Sequence, residues 1–205
     1  MNSITDFFLT NLPLTLFIYG LAFFIMGISI FINSRRETAL KITKELKLLA
    51  LFGIFQAIAL WGHFFIFTLR LFWGEKGIKI LEFLTLTSKV FSYTFLFLGG
   101  ISFYRKEIFK KIAIFFVFLF LIFLFRKNSP VAMANYEVFF RYIFCLPGSI
   151  LFFRGFLNTG KTLGRFKNLR IPQKLKIAGI GILLFGISEV FSVPSYTQIP
   201  HIISE

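Results

Sequence analysis

Apolar residues in this chain come in blocks of about twenty, separated by short stretches rich in lysine and arginine. A block of that length, wound as an α-helix, spans the roughly 30 Å hydrocarbon core of a bilayer. Lipid offers no partner for a backbone N–H or C=O, so a single segment crossing it must satisfy its own groups, and a helix does so. Six blocks are legible, at 13–33, 48–71, 80–104, 108–125, 138–153 and 177–193. The expected fold is therefore all-α: a polytopic transmembrane helix bundle of about six spans, forming one membrane domain over 1–205 with no soluble domain. The third block is the least clean, because it carries Glu82 and Lys89.

Composition agrees. Apolar residues make up 57% of the chain and charged ones 16%, where a soluble domain needs about a quarter charged to cover its surface. The formal charge of +14 would suit a nucleic-acid partner only if the positive residues formed a continuous face. Here they lie in short loops between apolar blocks, where they report topology and contact lipid headgroups. The loops at 34–47, 105–111 and 154–176 hold five, four and seven Lys or Arg, against five in all on the opposite side. The positive-inside rule then places both termini outside, in the cell (inner) membrane of a bacterial-type cell. The opening residues MNSITDFFLTNL contain no Lys or Arg, so they do not read as a cleavable signal peptide. Cys145 is the single cysteine, which excludes an intrachain disulfide.

Several familiar patterns carry no chemistry. Residues Gly155 to Thr162 read GFLNTGKT and fit the phosphate-loop pattern letter for letter. That chemistry needs a strand-to-helix loop and an acid to hold magnesium, and no acid occurs between Glu137 and Glu189. The match is read as chance, with Lys161 one of the positive-inside charges. His63 and His201 stand far apart, so no metal site and no cofactor is expected. Ser34 followed by Glu37 is a capping-box spacing that would start a short helix leading into the second span, or else belongs to a solvated linker.

The informative residues are those a membrane should exclude. Ionisable groups in the hydrocarbon cost roughly 2.5–3.5 kcal/mol each on insertion scales, so they face a bundle interior and mark function. Counting about 1.5 Å per residue from the basic loops, Arg141 and Glu189 each lie some 20 Å up, and Lys89 and His63 some 24 Å up, with Trp61 close by. Four helices thus bring polar groups to one layer. Two readings stay open. Arg141 pairs with Glu189, or with Glu137 one turn away, and Lys89 snorkels outward; or His63, Lys89, Arg141 and Glu189 line a polar pocket open to the outside. Pro147 removes a backbone donor and is expected either to kink the fifth span or merely to pack.

The stretch FFIMGISIFINSRRETALKITKELKLLALFGIFQAIALWGHFF resembles the start of the multi-spanning N-terminal membrane region of bacterial sensor histidine kinases and diguanylate cyclases. Gly27, Ser34, Arg35, Arg36, Leu49, Ala50, Phe52, Gly53 and Trp61 carry the likeness. RYIFCLPGSILFFRGF is similar to that family's Arg-Tyr, Leu-Pro-Gly segment at Arg141, Tyr142, Leu146, Pro147 and Gly148, and SVPSYTQIPHIISE to its Pro-rich outer stretch. Gln56, Ala57 and Leu60 stand where that pattern has His, Gly and Glu. The resemblance implies a membrane-embedded signal-input region; the charges and depths above make Arg141 and Glu189 the candidate switch residues, with His63, Lys89 and Trp61 as candidate lining. It implies a homodimer or a cytoplasmic signalling protein as partner, beside the lipid bilayer. No kinase or cyclase domain is present, so the chain is not expected to be an enzyme, and it reads as the input part of a larger receptor or an orphaned copy. The rival readings are a small-solute transporter or transporter subunit, and a lipid-modifying enzyme using Glu37, Glu45 or Glu107 at the inner face.

Overall fold

The computed structural model describes residues 11–36, 43–70, 72–104, 130–164 and 170–191, together with 111, 114, 115 and 118. Among them there is no strand. Helix α1 is Leu12–Arg36, α2 is Thr43–Leu69 and α3 is Glu75–Ser102. Helix α4, Pro130–Phe140, runs through a π turn at Arg141–Cys145 directly into α5, Leu146–Gly164; α6 is Arg170–Phe191. Four segments are long and apolar enough to cross a membrane: Leu12–Ser34, Thr43–Leu69, Glu75–Ser102 and Asn135–Thr162. Most of the block at 108–125 lies outside the described residues, as does the end of the block at 177–193.

The helices turn their apolar residues outward as well as inward. Along α1, Leu14, Ile18, Ile25 and Ile32 are all exposed, a helix hydrophobic all round, as a lipid-facing span requires. Polar groups run the other way: Gln56, Ser92, Lys89, Arg141 and Ser149 are buried.

Close approach in the α1–α2 pair is made by glycine. A Cβ on Gly27 would meet the Ala50 carbonyl at 2.9 Å, and one on Gly53 the Phe23 carbonyl at 3.0 Å, so these helices touch backbone to backbone. The same device joins α3 to α5, where a Cβ on Gly148 would lie 2.9 Å from the Phe97 backbone. Aromatic rings fill the centre. Phe185 of α6 packs edge-on to Phe23 of α1 and Phe52 of α2, at 5.4 and 5.3 Å between ring centroids, which brings the last described helix back to the first pair. Phe152 and Phe156 of α5 hold Phe103 in the same manner.

One local expectation needs correction. Ser34 is not a helix N-cap: it belongs to the last turn of α1, its hydroxyl donating to the Phe31 carbonyl at 2.9 Å, while Glu37 lies outside the described residues. A serine hydroxyl inside a helix reaches its own preceding turn more readily than a cap position further on. Just before Pro147 the fifth block contains a π turn, Arg141–Cys145, with the Leu146 N–H donating to the Arg141 carbonyl five residues back. Proline has no N–H and its ring crowds the carbonyl four residues earlier, so one extra residue is accommodated in the turn before it.

Candidate functional site

Residues four apart lie on one helix face, and the sequence uses that spacing twice at one level. Lys89 and Tyr93 share a face of α3. Glu137 and Arg141 share a face of α4 and the π turn. Near the end of α6, Glu189 meets them.

Lys89 Nζ donates to Glu137 Oε1 at 2.6 Å, and Arg141 Nη2 donates to the same oxygen. The guanidinium also reaches α6: Nη1 donates to the Glu189 backbone carbonyl at 2.9 Å, and Nε lies 3.6 Å from the Glu189 carboxylate. The Tyr93 hydroxyl donates to that carboxylate at 2.7 Å. The contacts form a closed circuit that leaves α3 at Lys89, passes through Glu137, Arg141 and Glu189, and returns to α3 at Tyr93. Two cations face two carboxylates, so the layer is formally neutral. Lys89 and Arg141 are only 7% and 5% exposed, a burial that charged groups tolerate when each is paired and hydrogen-bonded.

Of the residues singled out in the sequence, Arg141, Glu189 and Lys89 are brought together. Lys89 does not snorkel outward; it turns inward because a carboxylate on the neighbouring helix stands within reach. His63 on α2 is half-buried and near enough for the charges on Lys89, Glu137, Arg141 and Glu189 to act on it, yet it is hydrogen-bonded to none of the described residues. Trp61 faces elsewhere: its indole N–H donates to the Phe17 carbonyl on α1 at 3.2 Å, and its ring covers Gly20. Tyr93 is the member that sequence reasoning missed. Its spacing of four from Lys89 was the available signal. A second, smaller polar contact faces α2 from the same turn of α3, where the Ser92 hydroxyl, between Lys89 and Tyr93 in the chain, is 2.9 Å from Gln56 Oε1 and 3.2 Å from the Phe52 carbonyl.

Residues 155–162 are helical throughout, so their backbone N–H groups face along α5 and no loop is present to cradle a phosphate. A Cβ on Gly155 would meet the Phe103 ring at 2.5 Å, which explains this glycine by packing. Among the described residues no three His, Cys, Asp or Glu side chains are grouped to hold a metal ion. Cys145 is buried and free. Glu45, one of the acids weighed for inner-face chemistry, is buried in the first turn of α2; Glu37 and Glu107 lie outside the described residues. The arrangement joins three helices, α3, α4 with its π turn, and α6, through directional hydrogen bonds and ion pairs. The chain matches no protein-family model, no curated protein and no solved structure.

Proposed function

We propose that the chain is a membrane-embedded signal-input domain of six spans with both termini outside, and that the Lys89–Glu137–Arg141–Glu189–Tyr93 circuit is its switch. One observation carries this reading. The Glu137 carboxylate is shared between Lys89 on another helix and Arg141 on its own, at the point where a π turn interrupts the helix. A shared carboxylate has two alternative pairings, and π turns inside helices occur frequently at functional sites. A stimulus that favours one pairing moves helix packing by the difference in its affinity for the two arrangements. Buried ionic groups serve specificity and switching better than they serve stability. The likeness to sensor-kinase and cyclase input regions at Arg141, Tyr142, Leu146, Pro147 and Gly148 supports the same assignment.

A solute-transport role draws less support, because the layer's charges are satisfied by one another and two grooves along the described helices are lined mostly by apolar side chains.

The test is a distance measurement in lipid nanodiscs. Spin labels at the exposed Phe72 and Phe191 should give two populations by electron–electron resonance. Glu137→Gln, which removes the shared charge, should shift their ratio. A single distance that ignores the substitution would remove the switch reading; solute uptake by the wild-type chain in vesicles would favour transport.

A further inference from the structure

We propose that the groove between α3 and α5 is a binding site for one acyl chain of an anionic phospholipid, with the lipid phosphate held at Arg154. The groove has a volume of about 620 Å³. One wall is a single face of the π turn and α5: Ile143, Leu146, Pro147, Ile150, Leu151 and Arg154. The other is a face of α3 and the residues just after it, Phe97, Ile101 and Tyr104. Both walls are apolar until their last members, and both end together on a polar group, a guanidinium and a phenol.

Length and charge together select the occupant. From Ile143 to Arg154 is eleven residues, about 16 Å of helix, or roughly half the hydrocarbon thickness. The groove therefore matches one leaflet, with its cation where that leaflet's headgroups begin. Arg154 is exposed and makes no ion pair or hydrogen bond to a described residue. A guanidinium matches phosphate geometry with two parallel bonds. The walls are also fixed: Gly100 and Gly148 bring α3 and α5 into backbone contact beside the groove, so the cleft cannot close by drawing the helices together. A zwitterionic lipid would bring a second, positive charge to Arg154; an anionic one would not. The inference rests on the membrane placement of the bundle and not on its signalling role.

Photocrosslinking tests it. The full chain is placed in phosphatidylcholine vesicles doped with phosphatidylglycerol bearing a diazirine in its acyl chain. Adducts should concentrate on Ile143, Ile150 and Phe97, and unlabelled phosphatidylglycerol should compete where added phosphatidylcholine or inorganic phosphate does not. Arg154→Gln should capture roughly fivefold less, the effect of one basic residue near an anionic surface, while Arg154→Lys keeps most of it. Ile150→Trp should block capture by filling the cleft. Arg154 is exposed, so its variants fold even if Ile150→Trp does not. Equal labelling in Arg154→Gln, or labelling spread evenly to exposed Ile18 and Leu184, would overturn the proposal. So would a disulfide from Ile150→Cys to a cysteine placed within 108–125 that abolishes labelling, because the chain's own segment would then occupy the groove.

Discussion

The α1–α2 pair and the α3–α4–α6 layer hold helices together by opposite means. Between α1 and α2 the contact is shape: Gly27 and Gly53 admit the facing backbone, and Trp61 closes over Gly20 with one N–H bond to Phe17. In the layer the contact is charge: Glu137 receives two cations and Glu189 receives a guanidinium and a phenol. Packing by shape has one good arrangement, since any shift replaces contact with overlap. Packing by charge has several, since a carboxylate released by one cation can be taken up by the other. The first region is held by shape and the second by pairings that could be exchanged, and that contrast is why we propose the switch in the second.

The sharpest way to break the contrast is Glu137→Gln. It leaves Lys89 and Arg141 facing one another without their shared anion, and the loss should be roughly 3–5 kcal/mol, the usual cost of stripping one partner from a buried pair. Unfolding in mixed micelles would measure it. Adding Lys89→Met should recover part of that loss, whereas additive losses would mean that the two residues do not pair.

Gly27→Val comes next. Its side chain would press on the Ala50 carbonyl, for roughly 1–3 kcal/mol of overpacking, and the spin-label distance ratio should not move. A changed ratio would show that the seam takes part in switching.

Tyr93→Phe removes one bond to Glu189 and should cost about 0.6–1.7 kcal/mol, the range for hydrogen bonds between membrane helices. The same distance measurement should show a shifted ratio despite the small stability change. Trp61→Phe keeps the ring over Gly20 and loses only the N–H bond. About 0.6 kcal/mol and no shift are expected from the same pair of measurements.

Much of the site could be found from residue identity. Lys89, Arg141 and Glu189 stand out because charge inside an apolar block demands a reason, and their loop-referenced heights agree. Glu137 entered only as a neighbour four residues from Arg141. Tyr93 escaped because a tyrosine in an aromatic-rich span draws no attention, and Trp61 was drawn in by height alone, which says nothing of the direction a side chain faces. Two positions apart, Trp61 and His63 point about 160° away from each other around a helix, so one can face the layer and the other α1.

The sequence by itself determined that the chain is helical and apolar enough to span a membrane, because block length and the absence of water inside lipid leave no other economical solution. It also determined which residues are out of place there. Tertiary structure decided who meets whom: that Lys89 turns inward to Glu137, that a π turn stands just before Pro147, and that Gly155 answers to Phe103 and not to a phosphate. Pairing depends on how each helix is rotated about its axis, and rotation is set by contacts summed over the whole bundle, with glycine seams and aromatic rings outweighing any single polar residue.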